Sequence, residues 1–236
     1  MASTQTKQKV VGIVPTAKLF KDDNPYGDTY TFVNNYVKRI EENGAIPIGI
    51  LSNDGYVNKS SLELCDSFLI VGGLQIHPYH FEVVEYAIKN RKPLLGICLG
   101  LQVIHSYFIV LDEAEKRNYT GKLLDLYIQM KKEKYMFVLP VEHHWDVHML
   151  RDNIDDTKHK INVIKGTRMH DLLKKDEVWG SSMHRYRVNN VSKKLTISGT
   201  NDDGTIEMLE YDNFVFAVQF HPEVENKFDV LFKIIC

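Results

Sequence analysis

Pro93-Leu94-Leu95-Gly96-Ile97 is a short apolar run, and Cys98-Leu99-Gly100 follows it without a break before Leu101 to Val110 continues at helical spacing. A buried strand that turns at once into a helix is the repeating half-unit of an α/β sheet. The same alternation recurs upstream. Lys9 to Pro15 is a β-branched run ending in proline, and Phe32, Val33, Tyr36, Val37 and Ile40 follow at helical spacing. Gly44, after Glu42 and Asn43, suits a left-handed helix stop. Ala45 to Leu51 and Ser67 to Val71 read as strands, the second closing on Gly72-Gly73, and Pro78 to Lys89 reads as a helix. Strands alternating with helices imply right-handed βαβ units, hence an α/β fold with a mostly parallel central sheet flanked by helices, of flavodoxin-like type. Ligands of such sheets sit beyond the carboxyl ends of the strands, where Gly72-Gly73 and Cys98 both fall.

The second half changes character. Tyr135 to Val141, Lys160 to Ile164, Leu195 to Gly199, Thr205 to Glu210 and Phe214 to Phe220 are short strand-like runs, with a hairpin-type turn at Asp203-Gly204. They predict added antiparallel strands and a small antiparallel layer on the same domain. Leu111 to Lys134 is charged and aperiodic; a surface helix, an insertion over the site and an oligomer contact all remain open. Residues 1–9 read as a disordered N-terminal arm and residues 10–236 as a single domain, with no repeat or linker.

A chain of 236 residues with 44% hydrophobic and 25% charged residues holds a core without disulfides. Its formal net charge of −2 gives no field that points to nucleic acid or an anionic membrane. The polar start excludes a signal peptide, and no run approaches the roughly 20 apolar residues of a bilayer span, so a cytoplasmic protein is expected. Three widely spaced cysteines, Cys65, Cys98 and Cys236, form no disulfide framework and no Cys-x-x-Cys pair. One functional thiol in a reducing compartment fits better.

Cys98 sits where a nucleophile elbow would place it. Glycines two residues to either side let strand and helix approach closely, and the helix N-terminus favours thiolate. The plain alternative is a buried apolar cysteine. Phe220-His221-Pro222-Glu223 follows another strand. From there an imidazole reaches the same sheet edge, where it would take the thiol proton and return it to a leaving amine. Glu223 can accept the other ring N–H and fix the tautomer. A solvated loop is the alternative. Gly72-Gly73 allows a backbone N–H to turn into the site, or is an ordinary turn. His143, His144 and His148, with Glu142 and Asp146, cluster, but no His-Glu-x-x-His is present and no metal is expected.

Taken together, a strand–Cys–helix elbow and a distant strand–His-Pro-Glu resemble the class I glutamine amidotransferases over most of the chain, from Val10 to about Phe232. The resemblance implies Cys98 as nucleophile, His221 as acid/base, Glu223 as the orienting acid, and the N–H groups of Gly73 and Leu99 as an oxyanion hole. It implies no cofactor. Within that superfamily, Gly72 to Pro78, His159 to Gly166, Ser182-Met183-His184 and Asp203 to Glu207 resemble the γ-glutamyl-γ-aminobutyrate hydrolase branch, with Gln102 also matching. Gln75, Arg185, Tyr186, Leu99, His105 and Ser106-Tyr107 depart from that branch. Gly-Ile-Cys-Leu-Gly is nearer to amidotransferase subunits and folate-type γ-glutamyl hydrolases. Gln102, Ser182 and His184 are thereby candidate substrate-binding residues. Arg185 or Arg187 could pair with the substrate α-carboxylate, a surface arginine in a strand being the plain alternative for each.

The leading expectation is a stand-alone cysteine hydrolase of γ-glutamyl amides, taking a γ-glutamyl-γ-aminobutyrate-like compound or glutamine through a thioester. A glutaminase subunit feeding ammonia to a synthetase partner is the second. A catalytically weak binding or regulatory protein on this fold is the third. The partner expected is a small-molecule γ-glutamyl substrate, with a homodimer also open.

Overall fold

The computed structural model describes residues 7–19, 27–141 and 152–236. The histidine cluster at 143–148 lies outside the described residues, as do residues 1–6 of the N-terminal arm.

Nine strands form one sheet. They are β1 (Val10–Val14), β2 (Ile46–Gly49), β3 (Ser67–Ile70), β4 (Leu94–Ile97), β5 (Lys158–Val163), β6 (Glu177–Ser181), β7 (Thr196–Thr200), β8 (Ile206–Tyr211) and β9 (Val215–Val218). Their spatial order is β6-β5-β7-β8-β9-β4-β3-β1-β2. The pairs β2–β1, β1–β3, β3–β4 and β4–β9 are parallel. The pairs β9–β8, β8–β7, β7–β5 and β5–β6 are antiparallel. The expected antiparallel strands are therefore present, but most of them lengthen the same sheet rather than form a separate layer. In the second half, the strand pair outside it joins Val138–Pro140 to Tyr186–Val188.

The longer helices among the described residues are α1 (Asn34–Glu42), α2 (Pro78–Lys89), α3 (Leu99–Lys116) and α4 (Leu123–Lys132). The turn after α1 is closed by Gly44 at φ 82°, as its position predicts. Helix α3 runs one and a half turns beyond the predicted end at Val110 and is buried along most of its length. The ambiguous stretch 111–134 thus resolves into the end of α3, a turn, and α4. Helix α4 buries Leu126, Tyr127 and Met130, which join the core on the same side of the sheet as α2 and α3. Burying each such side chain contributes about 1.5–3 kcal/mol, enough to hold α4 as a packed layer. A second cluster, holding Tyr36, Ile40, Phe220 and Phe232, covers the opposite side.

Cys98 follows β4, Gly72 follows β3 and His221 follows β9, so parallel strands deliver all three to one sheet edge. Among the described residues no helix is long and apolar enough to cross a membrane.

Candidate active site

Cys98 occupies a left-handed backbone position, φ 53° and ψ −103°, between β4 and the first turn of α3. A non-glycine residue held there costs about 1–3 kcal/mol and persists only where its surroundings enforce it. The two flanking glycines do so. A Cβ on Gly96 would lie 2.7 Å from the carbonyl of Gly100, and a Cβ on Gly100 would run into the backbone carbonyl of Ile70 on β3. The strand-to-helix turn is as tight as it is because neither position carries a side chain. Cys98 N–H also donates to Val218 O on β9 at 2.8 Å, locking the elbow to the strand that brings the histidine.

His221 N–H donates to Ser181 O at 2.8 Å, and its Nδ1 lies 2.7 Å from Glu223 Oε1. The turn Pro222–Val224 folds the carboxylate back onto the ring two residues before it. His221 and Cys98 meet across Gly72, where a Cβ would stand 3.0 Å from His221 Cε1 and 3.5 Å from Cys98 Cβ. Burial opposes an imidazolium, yet the summed attraction of Glu223 and Cys98 outweighs it and holds His221 well above its ordinary value. With Nδ1 on Glu223, Nε2 is the nitrogen left for the thiol.

Two residues not singled out for this site in the sequence support it from α1. The Tyr36 hydroxyl accepts from Gly72 N–H at 3.2 Å and stands near enough to Glu223 to feel its charge. Burial, then the Glu223 charge, push Tyr36 well above its ordinary value, so it stays a neutral donor. Arg39 is buried; its Nε donates to Glu223 O at 3.2 Å, and its Nη1 donates to Glu42 at 2.8 Å and Asp229 at 3.4 Å.

The remaining predicted residues separate into inner and outer groups. Gly73 packs against the side chains of Thr16 and Leu99. Gln102, one turn into α3, is buried and donates to Gln219 Oε1 at 3.3 Å and Tyr186 O at 3.4 Å. Ser182 and His184 are buried, whereas Met183, Arg185 and Tyr186 are exposed. The 182–186 arm nevertheless crosses the elbow, since Cys98 Sγ lies 3.9 Å from Met183 O. The His184 ring turns inward, its Nδ1 donating to Tyr186 O at 3.0 Å and its Nε2 lying 3.5 Å from Glu207 Oε1. His159 Nε2 stands 3.3 Å from the other oxygen of Glu207. Burial opposes the Glu207 charge, but the two imidazoles outweigh it and hold the carboxyl well below its ordinary range. The described residues contain no group of three or more His, Cys, Asp or Glu side chains suited to a metal ion.

Residues 26–230 match the family model of glutamine amidotransferase class-I. A CTP synthase of Methanothermobacter thermautotrophicus is 28% identical over 220 residues, which cover 85% of this chain and 39% of that protein. A glutamine amidotransferase-like protein of Rickettsia prowazekii is 26% identical over 261 residues, which cover 93% of this chain and 92% of that protein. The chain thus spans about two fifths of the CTP synthase (39%) and nearly all of the Rickettsia protein (92%). Among solved structures, the glutaminase domain of Trypanosoma brucei CTPS with bound acivicin superposes with a TM-score of 0.64 at 18% identity, covering 97% of this chain and 91% of that one. At that identity the likeness speaks for the fold.

Proposed function

The chain belongs to the glutamine amidotransferase class-I family, and from that premise we propose that it hydrolyses the γ-carboxamide of glutamine at Cys98 and supplies the ammonia to a synthetase partner. The observation that carries the reading is the convergence of the Cys98 elbow and the Glu223-oriented His221 ring on Gly72. The Cys98 thiolate attacks the γ-carbonyl carbon, and the N–H groups of Gly73 and Leu99 receive the oxyanion. Each such donor is worth about 10²–10³ in rate. The C–N bond breaks as His221 protonates the departing ammonia, leaving a γ-glutamyl thioester. His221 then takes a proton from water, which attacks the thioester to release glutamate and restore the thiolate. Arg185, exposed beside the elbow, pairs with the α-carboxylate.

The relatives favour glutamine over a longer γ-glutamyl amide, since they are named as CTP synthase and glutaminase proteins. They also support a nucleotide synthase as consumer of the ammonia. The stand-alone γ-glutamyl hydrolase remains the second reading, motivated by the near-complete overlap with the glutamine amidotransferase-like Rickettsia protein, of which 92% is covered.

The deciding experiment measures glutamate release by the purified chain from glutamine and from γ-glutamyl-γ-aminobutyrate, beside a Cys98→Ala control. Release from glutamine that vanishes in the control and rises with a synthetase partner supports the proposal. Preference for the longer amide moves the chain to the second reading. Release that survives Cys98→Ala overturns both.

A further inference from the structure

The 182–186 arm is held along its length. At its start, Ser182 N–H donates to Thr157 O at 3.0 Å, and at its end Arg185 O accepts from Val141 N–H at 3.0 Å. Between them the arm is pinned by a side chain, His184, whose ring reaches into the sheet edge and meets Glu207. Glu207 stands at the start of β8, completely buried, and His159 at the start of β5 closes on it from the other side. The two rings lie 6.3 Å apart at 70° to one another, with the carboxylate bridging them. A carboxylate removed from water is tolerated where its oxygens are paired, and here each oxygen faces a different imidazole. None of these three side chains is needed in the chemistry proposed above, yet they lie beneath the segment that touches the nucleophile. On that segment, burial alternates: His184 points in, while Met183 and Arg185 on either side of it point out. Fixing the His184 ring therefore fixes where the Met183 carbonyl and the Arg185 guanidinium stand relative to Cys98.

Resting on the glutamine reading, we infer that Glu207 is a positioning residue: through the His159–Glu207–His184 clamp it holds the 182–186 arm across Cys98 in the place that receives the α-amino-acid end of the substrate. The clamp acts on recognition rather than on the nucleophile. The elbow is enforced independently by Gly96, Gly100 and Val218 O, and His221 by Ser181 O and Glu223. Loosening the arm thus weakens capture of glutamine-shaped molecules while leaving the thiol as reactive as before.

Two reagents separate these effects without requiring turnover or a partner. A diazoketone analogue of glutamine binds and then alkylates Cys98, so its inactivation rate saturates and yields a KI. Iodoacetamide reads thiol reactivity alone. In Glu207→Gln, which keeps the volume and removes the charge, KI for the diazoketone rises about tenfold or more, because small displacements of a positioning group cost that much. The iodoacetamide rate stays within about threefold. If Glu207→Gln does not fold, His184→Asn, which keeps the carboxylate but shortens the pin, carries the same expectation. An unchanged KI in a folded variant overturns the inference. So does a parallel fall in both rates, the signature of a merely structural residue. A wild-type chain that iodoacetamide labels but the diazoketone never saturates removes the glutamine reading, and this inference with it.

Discussion

His221 Nδ1 stands 2.7 Å from Glu223 Oε1 although a single residue, Pro222, separates the two in the chain. The pairing is local and buried, and its energetics depend on pH with a definite sign. His221 is held well above the value of about 6.5 expected for an unfolded histidine: burial opposes the charge, and Glu223 and Cys98 outweigh it. The stability it contributes is fully present below that unfolded value and disappears as pH rises through the raised folded one. Glu223→Gln removes the larger of the two attractions. The melting-temperature difference between wild type and Glu223→Gln is therefore expected to be widest near about pH 6 and to shrink as pH rises. Thermal melts across that range check it; a difference that grows towards alkaline pH contradicts the assignment.

Tyr36 stands between the same carboxylate and the glycine loop, accepting from Gly72 N–H at 3.2 Å within reach of the Glu223 charge. Tyr36→Phe keeps the packing and deletes the bond to Gly72. A neutral hydrogen bond contributes about 0.5–1.5 kcal/mol, so kcat for glutamine is expected to fall by about twofold to tenfold. KM should change little, because the hydroxyl faces the triad rather than the 182–186 arm. Steady-state kinetics separate the two; a rise in KM at constant kcat would place Tyr36 in recognition instead.

Gly100→Ala tests the elbow itself. In an exposed helix the change would stabilise by about 1 kcal/mol. Here the new methyl meets the Ile70 backbone, which no rotamer change can relieve. Overpacking of this kind costs about 1–3 kcal/mol, so the sign is expected to reverse. Denaturant unfolding of Gly100→Ala measures it, and iodoacetamide labelling should slow as α3 is pushed away from β3.

How much of this was legible in the chain follows from the range of the interactions. Strands β1, β3 and β4 announce themselves as continuous apolar runs, and the elbow through glycines two residues either side of Cys98. Strand β6 does not: Val178 points in, Trp179 is half exposed, and Gly180 is bare because Phe220 occupies the space a Cβ would take. Only the segment after β9, distant in the chain, explains that glycine. Helix α4 is obscured by lysines beside its buried Leu126, Tyr127 and Met130. Tyr36 reads as an ordinary member of an apolar stripe and Arg39 carries no signal of its own; their partners lie 36 and 184 residues away. Glu207 and His159 were visible only as parts of segments that follow a familiar order, since a lone glutamate on a strand reads as solvent-facing until both imidazoles are in place. Ser182 and His184 were expected at the substrate; the fold turns both inward and leaves Arg185 outside.

Arg39 shows how far the support of the proposed triad extends. Its guanidinium donates in three directions, to Glu223 O, Glu42 and Asp229, and so ties α1 to the His-Pro-Glu turn and to the C-terminal segment. A planar fork can span these acceptors, whereas a lysine ammonium is a point charge that cannot. Both carboxylate partners keep part of their surface in water, with side-chain exposures of 40% and 31%, which moderates the loss when the cation is removed. Arg39→Met is expected to cost about 2–3 kcal/mol, below the range for a fully buried pair, and Arg39→Lys somewhat less. Because one of the three bonds ends on the Glu223 carbonyl, kcat should fall with stability in both variants. Urea midpoints and turnover measured on the same preparations test this. Full activity in a destabilised Arg39→Met would mean that the turn carrying Glu223 holds its shape without α1.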